Sequence, residues 1–581
     1  MKTILLFSFI LSSFFALSQF AQNRIVNWTN AGLVDSISED IPSVSIIDFG
    51  AIPNDGLSDD DAILAAISSL GGSYGKVIFP EGDFLFNNRI IMHSGLILQG
   101  QGSELTILRF NLTSAQDLIL VQGTINSESI AVIDAKKGNY FLKLDNSIHG
   151  IIPGDILKLS MDGTAFIFSD WALSCMAQVV RVDSVRSDTI FIASGLRHNF
   201  VIENSPIVQK ITPIKDVSIS NMKIIREDET VEQTSNIAFI YAYNCAVRAI
   251  ESEICNFSHI SVSFSTNISI AGSYIHHGFT YGGNGRAYGV EISASSGECL
   301  VENNIFEHVR HSILFQSGAN GNVAAYNYSF DAYWTESALP SNSAGDLVLH
   351  GNYTYCNLFE GNIAQNAVID DSHGINGPYN TYFRNRLEKY GIVMNFNPAT
   401  DSSNIVGNEI SNSSFLMGNY TLFGIGNFTY GNNVKGTVTP AGTSNIETNS
   451  LYLDEAPCYF GLGTYWPPIG YPNNLVEFIV PAKQRYLDGI MTFDHCETNV
   501  SVTNNSITEN CIYPNPSNGE INLSNYQNFS SFEIYDLIGN CILKQNILSE
   551  NLCFEKLKSG VYIIKLISQS GIVKLERMVV L

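Results

Sequence analysis

Short apolar runs broken by asparagine-bearing corners recur through the middle of the chain. "VENNIFEH", "AAYNYSFD", "FEGNIAQN", "FRNRLEKY" and "IVGNEISN" align on Asn304, Asn327, Asn362, Asn385 and Asn408, in steps of 23, 35, 23 and 23 residues. A recurrent period of about 20–25 residues is one turn of a β-solenoid. The longer step predicts an insertion in one turn. Asparagines at one corner of successive turns can stack and hydrogen-bond along the axis, and they tolerate a left-handed bend. These Asn are expected to be structural.

Upstream, "VSIIDFG" reads as a short strand, and Asp59, Asp60 and Asp61 precede the helical run "AILAAISSL". The acidic triplet suits a helix N-terminus, where it complements the dipole. Glycines end that helix and "KVIFP" opens a series of strands. Residues 154–200 break the period and read as an inserted antiparallel β patch. After a polar linker at 501–510, residues 511–581 alternate short strands with turns, which predicts a small β-sandwich. The expected architecture is all-β: a parallel solenoid over 23–500 with an N-terminal helical cap, then the sandwich.

Composition narrows the setting. The formal charge of −24 and pI near 4.8 exclude nucleic acid and acidic membrane surfaces as natural partners. One early lysine, Lys2, and an apolar run from Ile4 to Leu17 make residues 1–22 a secretory signal peptide, too short to span a bilayer. No later stretch is apolar enough to span. The ten cysteines show no CxxC and no zinc-like spacing. Cys245/Cys255 and Cys541/Cys553 are conceivable local disulfides, the other cysteines reading as small buried hydrophobes.

The phrases "DFGAIPNDG", "DDDAILAAI", "GKVIFPEGDFLF" and "LILQGQGSELTIL" resemble the N-terminal segment of the pectate-lyase-like right-handed β-helix proteins of rhamnogalacturonase and epimerase type. That resemblance implies a right-handed parallel β-helix and a carbohydrate-active protein. It does not select among lyase, hydrolase, epimerase and tailspike. "YPNPSNGEINL", "FEIYDLIGN", "LKSGVYIIKL" and the terminal "KLERMVVL" resemble the C-terminal sorting domain of type IX secretion. This implies the type IX machinery as a partner and a secreted or cell-surface protein, expected to be a monomer.

Candidate chemistry concentrates in two stretches of a cation-poor chain, with only 31 Lys and Arg in 581 residues. The first, Tyr274 to Gln316, holds His276, His277, Arg286, Tyr288, His308, Arg310 and His311 around the loop "GFTYGGNGRAYG". The second, 369–391, holds Asp370, Asp371, His373, Tyr379, Arg384, Arg386 and Lys389; His350 and Trp334 lie between the two. For β-elimination on a polyuronate, a cation must neutralise the C6 carboxylate while a base removes the adjacent proton. His311, His350 and His373 are the candidate bases, with Arg310 and Arg384 on the carboxylate. His276, His277, Arg286, Tyr288, Trp334, Tyr379 and Lys389 are candidate substrate contacts, and Asp370 with Asp371 a candidate Ca²⁺ pair. Hydrolysis would instead need paired carboxylic acids, drawn from Asp370, Asp371, Glu291 and Glu360. "DDSHG" and "RNR" echo fragments of the polygalacturonase-type set, without its spacing and without its Asn-x-Asp. The residues lean toward a lyase for an acidic extracellular polysaccharide, with a hydrolase, an epimerase and a non-catalytic glycan-binding or adhesion protein as alternatives.

Overall fold

A computed structural model describes residues 22–494, except 337–343, 395–397, 462–464 and 476–477. In the C-terminal unit it describes 512–513, 520–523, 527, 529–535, 541–547, 549, 551–553, 557, 560–568 and 573–580. Most of the signal peptide (to residue 21) and the 501–510 linker therefore lie outside the described residues. The chain divides into residues 1–496 and 497–581.

The first unit is a right-handed parallel β-helix with three faces. Each turn contributes one strand to each face, so every strand pairs with its counterpart one turn away. On the first face the register runs Leu300↔Val323↔Leu358↔Thr381↔Asn404↔Phe428. On the second it runs Tyr274↔Ile305↔Tyr328↔Ile363↔Arg386↔Glu409. On the third, Val290, Ile313, Leu347, Ala367 and Ile392 align. Alternate side chains along each strand point inward, and the buried aliphatic and aromatic residues form one continuous core. Within it, Phe315, Phe359 and Tyr382 stack at 4.9 and 4.8 Å between ring centroids. The Asp60–Ser69 helix buries Ala62, Ile63 and Ala66 in this core.

The corner asparagines do form a ladder. Asn304 Nδ2 donates to Asn327 Oδ1 at 3.0 Å, Asn327 to Asn362 at 2.9 Å, Asn362 to Asn385 at 2.8 Å and Asn385 to Asn408 at 3.0 Å. The ladder continues to Asn432. The left-handed bend, however, falls one residue earlier than the asparagine itself, on Asn303, Tyr326, Gly361, Arg384 and Gly407, with φ between 53° and 66°. A bulky residue in that region is strained by about 1–2 kcal/mol, and the ladder's bonds to backbone N–H and C=O hold it there.

Two segments run along the solenoid's flanks. Residues 24–34 bond from Asn404 down to Asn244, with Trp28 buried and its indole N–H donating to Cys356 O at 2.8 Å. Residues 446–494 bond successively to Arg384, Glu360, Tyr326, Asn303 and Gly272. The antiparallel patch is wider than the period break suggests: its seven strands run from Thr124 to Thr212. Cys245 and Cys255 do not pair. Both are buried free thiols among apolar neighbours, and Cys541 is also free.

The second unit is a β-sandwich of a three-stranded and a four-stranded antiparallel sheet. Ile521, Leu523, Phe532, Ile534, Ile564 and Leu566 fill the space between them.

Candidate functional site

On the third face a groove of about 790 Å³ opens, floored by outward side chains of successive strands. Glu291 and Ser293 come from the Tyr288–Ser293 strand, Gln316 from the end of the next, His350 from the strand after that. His350 sits beside Asp370 in strict register. One wall is the 3₁₀ turn Asp170–Cys175 of the inserted patch, through Trp171 and Cys175; the other is the glycine-rich loop, through Asn284 and Gly285.

A short polar contact at the groove joins His350 and Asp370. His350 Nδ1 lies 2.7 Å from Asp370 Oδ2, while Ser372 donates to Asp370 Oδ1 through Oγ at 2.6 Å and its backbone N–H at 3.1 Å. Burial alone would push the Asp370 carboxyl up. The charge and hydrogen bond of His350 and the two Ser372 bonds outweigh it and hold the carboxyl down at about 2. In the neutral form of His350, the ionised Asp370 holds the remaining proton on Nδ1 and leaves Nε2 as a lone-pair acceptor. The His373 ring stands 5.0 Å from His350, edge-on, and burial, reinforced by the charge His350 carries when protonated, shifts its pKa down. Glu291, fully buried, accepts from Gln316 Nε2 at 2.8 Å; burial pushes its carboxyl up against the opposing bonds. Two carboxyls in one groove are therefore shifted in opposite directions.

The predicted site residues divide sharply. His350, His373, Asp370, Arg310 and Tyr288 gather at the groove. Arg310 packs its guanidinium over Tyr288 at 5.7 Å and Trp334 at 5.0 Å and donates to Gly282 O. Trp334 thus holds Arg310 and does not line the groove. His311 lies behind Tyr288, 4.8 Å from its ring, buried, with Nδ1 on the backbone of Gly345. Burial and the Arg310 charge keep it neutral, and it is not a groove-lining side chain.

Arg384 requires a correction. It is buried at the far corner, donating to the carbonyls of Ile446, Thr448 and Ile469, and it anchors the 446–494 segment. Glu360 lies under the same segment, taking the Leu451 N–H at 2.8 Å, and cannot serve a hydrolytic pair in the groove. Tyr379 is covered by Lys137 at 3.8 Å, outside the groove. Lys389 lies beside the Tyr390 ring, also outside it. Arg286 spends its guanidinium on the carbonyls of Thr230 and Val231, fixing the glycine-rich loop. His276 and His277 belong to a separate cluster with Glu251 on the second face.

As a calcium pair, Asp370 and Asp371 are poorly disposed. Both Asp370 oxygens are engaged, and among the described residues the one His/Cys/Asp/Glu group with metal-like spacing is Glu251, Glu253 and His276. Lys223 already occupies its carboxylates. Sequence reasoning missed Gln316, Ser372 and Trp171. The first two follow from the strand register once His350 is placed; Trp171 comes from an insertion that no repeat could locate.

Residues 43–152 match the family described as rhamnogalacturonase A/epimerase, pectate lyase-like. This segment is pectate lyase-like. Residues 511–581 match the secretion system C-terminal sorting domain, which marks a secreted or cell-surface protein. No curated protein sequence matches the chain. Among solved structures, the tailspike gp61 of Pseudomonas phage phi297 is 14% identical with a TM-score of 0.50, over 68% of this chain and 75% of that one. The tailspike gp49 of Pseudomonas phage LKA1 is 15% identical with a TM-score of 0.49, over 63% of this chain and 64% of that one. The A-module of the Azotobacter vinelandii mannuronan C-5 epimerase AlgE6 is 12% identical with a TM-score of 0.32, over 66% of this chain and 98% of that one. The chain thus spans 64% of the length of the LKA1 tailspike. At these identities the likeness is one of fold alone. The pectate lyase-like β-helix is a fold of carbohydrate-active proteins, and among the described residues no helix is long and apolar enough to cross a membrane.

Proposed function

We propose that the solenoid is a polysaccharide lyase that cleaves a uronate-containing extracellular glycan by β-elimination, with His350 as the base. The observation that carries the reading is the 2.7 Å contact between His350 Nδ1 and an ionised Asp370 at the groove. In this scheme Nε2 takes the proton from C5 of the uronate ring. The electron pair forms the C4–C5 double bond, and the C4–O bond to the neighbouring sugar breaks, its oxygen leaving as a hydroxyl once protonated. Charge developing on the uronate carboxyl is met by Arg310, a cation at the groove, and by Gln316 and His373, all of which line it. Tyr288, whose phenol burial pushes up to about 12, keeps its proton and stands by to protonate the leaving oxygen.

A second reading has its own support. Glu291 raised and Asp370 lowered is the division of labour of a glycoside hydrolase, one carboxyl acid and one carboxylate. Against it, the two stand on strands three rungs apart, about 14 Å along the face at about 4.8 Å per rung. Both Asp370 oxygens are also already bonded.

Absorbance near 235 nm during digestion of pectate, alginate, glucuronan and ulvan tests the choice. A rise reports the unsaturated uronate that elimination alone produces. New reducing ends without that rise would replace the lyase by the hydrolase.

A further inference from the structure

Phe168 and Trp171 are large apolar side chains left 71% and 60% exposed, two and five residues beyond Phe166, on the inserted patch. Loose surface aromatics are common. These two differ because the backbone that carries them is pinned. Asn352 Oδ1 accepts from the N–H groups of both Phe168 and Ser169, at 3.1 and 3.0 Å. Ser169 Oγ lies 3.3 Å from His373 Nδ1. At the other end of the turn, Ser295 Oγ donates to Cys175 O at 2.7 Å. Gly318 approaches that carbonyl so closely that a Cβ would stand 1.9 Å from it. Gly374 makes the same kind of room for Phe168, whose Cβ would be 2.4 Å from a side chain there.

The turn's own period explains the exposure. In a 3₁₀ turn, residues three apart share a side, so Ala172 and Cys175 anchor together in the patch's core while Trp171 faces away from it. It faces the groove, with its ring 5.6 Å from His373 and perpendicular to it at 84°. A rigid indole face beside polar, hydrogen-bonding groups is the surface that receives the apolar face of a pyranose ring. Because the turn is already ordered, stacking costs little further entropy.

We propose that Trp171, flanked by Phe168, is a sugar-stacking subsite that holds one pyranose ring of the glycan next to the His350–His373 end of the groove. The inserted patch, not the solenoid, therefore supplies it. The inference rests on the reading of the groove as a glycan site, and it is independent of whether cleavage is by elimination or hydrolysis. Trp171 positions substrate; it takes no part in bond breaking.

The test uses the full chain carrying His350→Ala, titrated with tetrasaccharides of polygalacturonate and of alginate while tryptophan fluorescence is followed. At least one tetrasaccharide should perturb the emission saturably, and adding Trp171→Ala should remove that signal and weaken calorimetric affinity about tenfold, the effect of one lost ring stack. Phe168→Ser should weaken it about twofold to threefold. In the otherwise native chain, Trp171→Ala should raise KM about tenfold and leave kcat within about twofold. Binding that depends on Trp171 without any turnover would sustain this subsite while removing the lyase proposal. Turnover with unchanged KM in Trp171→Ala, or no saturable binding of either tetrasaccharide, would overturn the subsite.

Discussion

Two histidine-rich regions lie on adjacent faces of the same solenoid, and they are built to opposite ends. On the second face, His276 has Glu251 at 3.2 Å on one nitrogen and His277 at 2.9 Å on the other, with its ring stacked on Tyr274 at 4.2 Å. Lys223 bridges Glu251 and Glu253, Tyr274 donates to Glu307, and His308 bonds Asp331 at 2.7 Å while stacking on Tyr333. His276 and His308 each have a carboxylate partner and an aromatic face, and Lys223 neutralises Glu251 and Glu253. On the third face, Asp370 holds one nitrogen of His350 and no protein bond engages the other among the described residues. A closed network stabilises; an open one has a valence left for a substrate. Counting histidines along the chain does not separate the two, because what differs is which bonds remain unmade.

The comparison breaks most visibly by mutation. His350→Ala is expected to lower turnover by about 10³-fold, within the range of general-base loss, whereas His276→Ala changes it less than about threefold. Equal losses in the two, measured at matched folded fraction, would erase the distinction between the faces. Asp370→Asn removes the group that fixes the His350 tautomer and should cost about 10²-fold in kcat with KM little changed. A KM effect alone would make Asp370 a substrate contact instead.

Other changes should leave the chemistry alone and act on the scaffold. Asn362 donates to Ala324 O and Asn385 Oδ1 and accepts from Asn327, all in the buried corner. Asn362→Ala strands those partners and should destabilise the solenoid by about 2–3 kcal/mol, seen as a lower unfolding midpoint in denaturant, with kcat unchanged below the transition. Asp370 also predicts an acid limit. Its carboxyl is held at about 2 in the folded chain against an ordinary 3.8. The stability it contributes, on the order of 2 kcal/mol, is present above the ordinary value and lost as pH falls toward 2. Denaturant melts between pH 5 and 2 should be flatter for Asp370→Asn than for the native chain. The smallest effect expected is that of EDTA. With both Asp370 oxygens occupied, chelation should change the rate less than about twofold, and a strong loss would assign Asp371 a metal.

How much of this was legible in the sequence follows from how each feature is encoded. The ladder from Asn304 to Asn408 is periodic, and period fixes both the solenoid and the turn that carries the insertion. The groove is not periodic. His350 and Asp370 meet because their strands are 20 residues apart in a turn shortened relative to its neighbours, a local irregularity that counting from the corner only approximates. Arg384 belongs to the site on paper because it lies in the cation-bearing stretch 369–391, yet its corner faces the 446–494 segment, whose position no repeat specifies. Trp171 was passed over for the converse reason: its insertion interrupts the repeat, and only the folded chain brings it beside His373.

The most direct test of the central claim is proton NMR of a digest of the best substrate, followed in situ for the native chain and for His350→Ala. An olefinic C4–H resonance that grows with the native chain and is absent with His350→Ala is the predicted result. New reducing-end anomeric signals without the olefinic one, or an undiminished olefinic signal from His350→Ala, would contradict it.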